Sequence, residues 1–387
     1  MHRRTFLRVG GTAAAGIAIT GCLPSLSSSP APARVALRRL PNLMPVDASW
    51  DRIIRTTVGL RPYRDSGFIV AADRLDDKTV IHNYGHGGAG MSLSWGTGYL
   101  ATEMALAHAD RRAAVIGCGI VGLTAARQLQ RHGFDVTIYA KALPPETTSN
   151  MSWAGFTPVS GLVATNHRTP QWDAQFRRAV EIAYREHQLL VGSGRGVFWL
   201  DEYYTIRDLS TVGRSGGSSA EAEGGGEPLL PPSVTLARTI LGPGEHPFAS
   251  PYAGRLPAMR FEPGIYLDSL MRDVITFGGR IVVRSFEAKQ DLTSLTERLI
   301  VNCTGLGAKA LFGDEELTPI KGQLTVLVPQ PEVNYSIAGM TPRSDGIVLG
   351  HVSQKGVWSM DVDEDERKKV VDRAIAFFRG MKAPGQV

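Results

Sequence analysis

The sequence predicts an α/β fold organised around a βαβ dinucleotide-binding unit of the Rossmann type. Two observations carry this. The run Gly117-Cys118-Gly119-Ile120-Val121-Gly122 is a G-x-G-x-x-G motif set between a strand-like and a helix-like segment, and short apolar runs alternate with amphipathic stretches on both sides of it. The length of 387 residues leaves room for a second domain.

Each element follows from its residues. Ala113-Ala114-Val115-Ile116 is a short buried strand. Residues 120–132 form a helix with Val121, Ala125 and Leu129 on one face, closed by Gly133. Val136-Thr137-Ile138-Tyr139 is the next strand, and residues 92–107 read as a helix ahead of the motif. Further on, a helix over 266–277 passes through Gly278-Gly279 to a strand at 281–283. A strand at 299–301 enters Asn302-Cys303-Thr304-Gly305, and 367–380 is an amphipathic helix burying Val370, Ala374, Phe377 and Phe378.

Charge excludes one class of partner. Six arginines and no acid precede Asp47, so the net charge of +5 sits at the N-terminus and the remainder balances 36 basic against 37 acidic side chains. No basic stripe is left for nucleic acid. The opening Arg3-Arg4-Thr5-Phe6-Leu7 and the apolar run after it resemble a twin-arginine export signal, and Ile19-Thr20-Gly21-Cys22 resembles a lipobox. That run is too short to span a bilayer. The expectation is an exported, lipid-anchored protein with Cys22 as its only membrane attachment: a signal over 1–22 and a flexible tether over 23–49. Residues 213–232, rich in Gly and Pro, read as a flexible surface insertion, and no metal centre is expected. Cys118 and Cys303 lie inside glycine-rich motifs and suggest no disulfide framework.

The glycine motif has a physical role. Gly117, Gly119 and Gly122 allow a tight turn and a close backbone approach, while the helix starting at Ile120 and Val121 offers free N–H groups to a pyrophosphate. The acid that binds a ribose in NAD enzymes is missing where Tyr139-Ala140-Lys141 stand. Plain NAD use is disfavoured, and an NADP enzyme using Lys141 stays open.

The residues that follow resemble the D-amino-acid oxidase family. They are Ala140-Lys141, the turn Thr147-Thr148-Ser149, and Trp153-Ala154-Gly155, together with Asn302-Cys303-Thr304-Gly305, Gly59-Leu60-Arg61-Pro62, Gly85-His86-Gly87-Gly88-Ala89-Gly90-Met91, Lys321-Gly322-Gln323 and the segment from Pro342 to Gly350. The resemblance spans nearly everything after residue 50. It implies FAD as cofactor, a Rossmann-type FAD-binding domain (79–165 and 262–320), and a mixed-sheet α+β substrate domain (50–78, 166–261 and 321–387). In ordinary members the Gly-Leu-Arg-Pro and Gly-His-Gly-Gly segments come last, whereas here they come first, which reads as a circular permutation.

The resemblance also implies the chemistry: oxidation of a D-amino acid or related amine to its imino acid by hydride transfer to the flavin, so that the protein orients and polarises. By resemblance Arg61 grips the substrate carboxylate with its planar fork, and the carbonyl of Gly88 accepts the amine. Ala140, Lys141, Thr147, Thr148, Ser149, Ala154, Gly155, Thr304 and Gly305 surround the cofactor, as do Gly87, Gly88, Ala89, Gly90 and Met91, where a helix aims its positive end at the flavin. His86 reads as packed within the loop. Gly339 stands where the family places a tyrosine, with Tyr335 or Arg343 as candidate substitutes; Tyr203 and Tyr204 are also candidates for the pocket lining, although tyrosines on a strand are more often core. Oxygen is the expected electron acceptor. A dehydrogenase passing electrons to a membrane quinone and a flavin-binding protein without turnover are the alternatives.

Overall fold

Ahead of the glycine motif the chain forms β1 (Ile53–Tyr63), β2 (Ile69–Leu75), β3 (Lys78–Tyr84) and α1 (Gly90–Leu106). The turn Asp76-Asp77, with Asp76 at φ 54°, joins β2 and β3 as a tight hairpin. The βαβ unit is β4 (Arg112–Ile116), α2 (Ile120–Arg131) and β5 (Asp135–Ala140). Next come α3 (Pro170–Leu190), β6 (Val197–Ile206), β7 (Thr239–Leu241), β8 (Tyr252–Phe261) and α4 (Pro263–Thr276). After them lie β9 (Arg280–Val283), β10 (Leu299–Asn302), α5 (Gly307–Phe312) and β11 (Thr318–Leu327). The chain closes with β12 (Tyr335–Ile337), β13 (Met340–Arg343), β14 (Gly346–Leu349), β15 (Gln354–Lys355) and α6 (Glu364–Arg379).

This computed structural model describes residues 42–212, 229–350 and 352–382. The signal-like segment, Cys22 and most of the expected tether lie outside the described residues, as does 213–228 of the expected insertion. No helix of the described residues is long and apolar enough to cross a membrane.

Two sheets organise the molecule. A six-stranded sheet runs β2-β3-β10-β4-β5-β9, with β2 antiparallel and all other neighbours parallel. Its central strands β4 and β10 are apolar on both faces because α1 and α2 cover one side and Leu292 and Leu295 pack on the other. A second sheet runs β1-β11-β14-β13-β12-β6-β8-β7, with β15 added beside β11. One face packs against α6 through Tyr335, Ile337, Met340, Leu349, Val371 and Phe378. Two helices start at side-chain caps that satisfy free N–H groups: the Thr169 hydroxyl caps α3, and the Asp363 carboxylate accepts from Glu366 N–H at 3.0 Å to cap α6.

Several expected boundaries shift. β2, assigned to the substrate domain from its place before residue 79, pairs with β3 along its whole length and belongs to the nucleotide sheet. α3 packs Phe176, Ala179 and Ala183 into the same core as α1, so it covers the nucleotide unit as well. Residues 42–49 are docked, with Leu43 and Val46 buried against α6. Leu229, within the expected flexible insertion, and Val234, just after it, are buried in the core under α3. In the last two cases a few apolar side chains gain enough from burial to order a polar stretch around them, a gain that composition averaged over the stretch conceals.

Candidate active site

The glycine turn between β4 and α2 is tight for measurable reasons. Gly117 has φ 112°, which side chains rarely adopt, and a Cβ added at Gly122 would lie 2.0 Å from the Gly117 carbonyl oxygen. A Cβ at Gly117 would in turn lie 2.6 Å from the Cys303 carbonyl oxygen, so the turn after β10 seats directly on it. Ile120, at the start of α2, gives its N–H to the Ser149 hydroxyl at 3.0 Å, which ties the segment after β5 to the helix start. The first turn of α2 carries no acid and no side-chain cap at Gly119. Val121 follows in the same turn, and Ala140 is buried at the end of β5.

The segment after β5 wraps around this turn. Lys141 is exposed, and no carboxylate among the described residues pairs with it. Thr147 bonds Asn150 through its hydroxyl at 2.7 Å, and the 3-10 turn Thr148–Met151 brings Thr148 and Ser149 beside β1: a Cβ at Gly59 would lie 3.0 Å from Met151 Cβ. Ala154, at φ 61°, and Gly155 then run antiparallel to β8. Phe261 N–H donates to the Ala154 carbonyl at 2.8 Å and Phe156 N–H to that of Met259 at 2.9 Å.

The early glycine run meets these pieces. The 3-10 turn Gly87–Ala89 leads into α1, whose first residues Gly90 and Met91 lie beside α2: a Cβ at Gly90 would be 3.9 Å from Ile120 Cγ2. Gly88 gives its N–H to the Gly161 carbonyl at 3.2 Å, and a Cβ at Gly87 would fall 1.8 Å from that oxygen. The strap Ser160-Gly161 therefore covers this turn, and only glycines fit beneath it. His86 is fully buried, bonded to the Thr97 hydroxyl at 2.9 Å and stacked on Phe68. Burial pushes its pKa down to about 3, so it is a neutral packing group.

Arg61 closes the site from the second sheet. It lies opposite Ile320, with its guanidinium over Gly322, where a Cβ would be 2.7 Å from Nη2. Its one hydrogen bond runs to the Val352 carbonyl at 3.5 Å, and no carboxylate among the described residues pairs with it. Burial lowers its pKa, yet a guanidinium stays charged. The next residue, Pro62, reaches the turn after β10: a Cβ at Gly305, φ 58°, would lie 3.6 Å from Pro62 Cγ. Thr304 in that turn is fixed by Asn302, whose side-chain oxygen accepts from the Thr304 hydroxyl at 2.8 Å. The arginine strand and both glycine segments thus converge on the nucleotide turn.

Two candidate substitutes for the missing tyrosine are committed elsewhere. Tyr335 is buried on the α6 side and donates to the Met44 carbonyl at 2.8 Å. Arg343 is engaged by Asp345 and the Ser152 carbonyl. Gly339 follows Ala338 in a hairpin turn, both with positive φ, so position 339 requires glycine for the turn itself. Tyr203 is core, packed on Tyr335 and Phe248, whereas Tyr204 lies over Gly254 with its hydroxyl buried and unpartnered. Burial raises the pKa of Cys118 to about 12 and that of Cys303 further, which makes both inert thiols.

Sequence reasoning missed the polar cluster beneath the glycine run. Arg64 packs on Gly85 and bonds Asp314 at 2.8 Å, and Tyr84 donates to the same carboxylate at 2.9 Å. A second arginine three residues after Arg61 was the available signal; its partner lies 250 positions away. Among the described residues no group of three or more His, Cys, Asp or Glu is placed to hold a metal.

The donor set fits a flavin dinucleotide. A helix start without acid, and a lysine and a half-buried arginine with no carboxylate partner among the described residues, all favour anionic groups, and the glycines at 117, 119 and 122 leave backbone where side chains would block a pyrophosphate. Fold and site together define a dinucleotide-binding oxidoreductase. A family model described as FAD dependent oxidoreductase (DAO) matches residues 2–104 and 112–386, and the chain belongs to that family. It is 27% identical over 274 residues to a D-amino-acid oxidase of Rubrobacter xylanophilus, covering 68% of this chain and 76% of that one. It is 24% identical to a D-aspartate oxidase of Homo sapiens, covering 68% and 75%. Among solved structures it is similar to a glycine oxidase from Bacillus cereus at 13% identity, with a TM-score of 0.47 and coverage of 69% and 78%. The protein is an FAD-dependent oxidoreductase.

Proposed function

We propose that this enzyme oxidises a D-amino acid to its imino acid, with oxygen as electron acceptor. The observation that carries the reading is Arg61: a half-buried guanidinium without a carboxylate partner among the described residues, one residue from the contact of Pro62 with Gly305 in the turn after β10. A partly desolvated charge without a counter-ion is costly unless a ligand completes it, and a substrate carboxylate does so in the bidentate geometry that a guanidinium favours. The Gly88 carbonyl serves the amine, so the two anchors orient the α-hydrogen. When bound, FAD supplies the acceptor for that hydrogen and its electron pair. The Ser160-Gly161 strap, bonded to the Gly88 N–H at 3.2 Å, holds that turn in place. The names of the relatives, D-amino-acid oxidase and D-aspartate oxidase, support the same substrate class.

The test is the visible spectrum of the purified chain, with anaerobic bleaching by a panel of D-amino acids and peroxide formation in air. Bleaching without peroxide would replace oxygen by another acceptor such as a quinone; no bleaching by any amine would end the reading.

The order of segments is part of the proposal: a circular permutation. It is supported by the short link 107–111 from α1 into β4, and by residues 42–49 sharing a core with α6. A chain joined from 382 to 42 and opened at that link should refold with the same flavin spectrum; failure to fold would count against it. We further propose export and lipid attachment at Cys22, for which Cys22→Ser should release the protein from membranes.

A further inference from the structure

Arg260 has an unusual setting. It stands on β8 with 3% of its surface exposed, and its guanidinium lies on the backbone of Gly155: a Cβ added there would fall 2.6 Å from Nη1 and 3.3 Å from Cζ. No positive φ demands a glycine at 155, so the absence of a side chain serves the arginine. Backbone bonds on either side, from Phe261 to Ala154 and from Phe156 to Met259, hold the two segments in register. Its counter-charge is Glu202 at 2.9 Å, whose side chain is 37% exposed, and Arg260 Nε is buried without a hydrogen-bond partner. Water screens the glutamate, while the side of the guanidinium facing Gly155 lies in a low-dielectric interior. A fixed positive field is left at the cofactor's wrapping segment.

We propose that Arg260 is a positioning and tuning residue for the flavin: it fixes Ala154 and Gly155 from behind and supplies positive potential that favours the negative charge accumulating on the isoalloxazine as it accepts a hydride. This rests on the flavin reading above and assigns it a residue outside the family motifs. Glu202 acts in opposition, as the partial neutraliser of that charge. A residue that merely packs would show no dependence on the sign of charge.

The experiment uses the FAD-loaded protein and three variants, Arg260→Met, Arg260→Lys and Glu202→Gln, each read for the flavin midpoint potential and the FAD dissociation constant. Arg260→Met should lower the potential and weaken FAD binding about tenfold, as expected for loss of one charge-assisted interaction. Arg260→Lys should recover most of the potential, and Glu202→Gln should raise it. Unchanged values in Arg260→Met, or shifts of the same sign in Arg260→Met and Glu202→Gln, would overturn the proposal. Should Arg260→Met not fold, Glu202→Gln decides alone: a raised potential supports the idea and an unchanged or lowered one ends it. A wild-type chain that takes up no FAD would defeat the underlying reading instead.

Discussion

The two sheets are specified in different ways. In the six-stranded sheet most neighbours are parallel strands joined through helices, and the glycine motif, the capping Gly133 and the apolar runs of β4 and β10 sit within short windows of sequence. The second sheet is stitched from distant segments: β1 lies against β11, more than 250 residues later, through an antiparallel ladder from Ile53 to Tyr63, and β12 lies parallel to β6. Local periodicity identifies the first kind of sheet. The second depends on which strands find each other, so the arginine it presents acquires meaning only after folding.

That contrast can be broken or sharpened. The largest effect should come from the long-range sheet: Arg61→Leu removes the proposed partner of a substrate carboxylate and should lower kcat/KM about 100- to 1000-fold. The flavin spectrum should be unchanged, since the nucleotide turn is untouched; loss of flavin would mean that the two sheets are not separable in this way.

The next largest is a pH effect in the nucleotide region. His86 and His187 have pKa values pushed by burial from the usual 6.5 to about 3 and about 4. Both are neutral in the fold, so their contribution is intact above pH 6.5. Below that the unfolded chain binds protons that the folded chain does not, and stability falls by up to about 1.4 kcal/mol per pH unit per histidine until the folded values are reached. Urea titrations from pH 7 to 4 should show this slope, with a shallower one in His187→Phe.

Asp314→Asn tests the joint between the regions. It leaves Arg64, beneath Gly85, with the half-exposed Glu316 as its remaining carboxylate, and should cost about 2 kcal/mol by chemical denaturation. Least affected should be Lys141→Met, an exposed cation at the end of β5: a few-fold weaker FAD binding in a fluorescence titration, shrinking further in high salt.

Legibility followed the same division. The turn at 117–122, the turn around 147–151 and the strand entering Thr304 were legible as local structure because each is shaped by residues a few positions apart. Arg64 with Asp314, Arg260 with Gly155 and Glu202, and the Ser160-Gly161 strap were not, because each depends on a partner far along the chain. Tyr335 shows the reverse failure: a tyrosine at a plausible position in sequence points to the α6 side, because strand alternation sends it there.

The sequence by itself determined the nucleotide unit, its glycine turn and the absence of an acid after β5, since backbone conformation and local periodicity are short-range properties. Tertiary structure alone decided that β2 and α3 serve that unit and that Arg61, with no carboxylate partner among the described residues, is carried to the site next to Pro62, which meets the turn after β10. It also decided that Arg260 lies against Gly155. Pairing among distant strands is settled by burial and hydrogen bonding summed over the whole chain, which no local window of sequence contains.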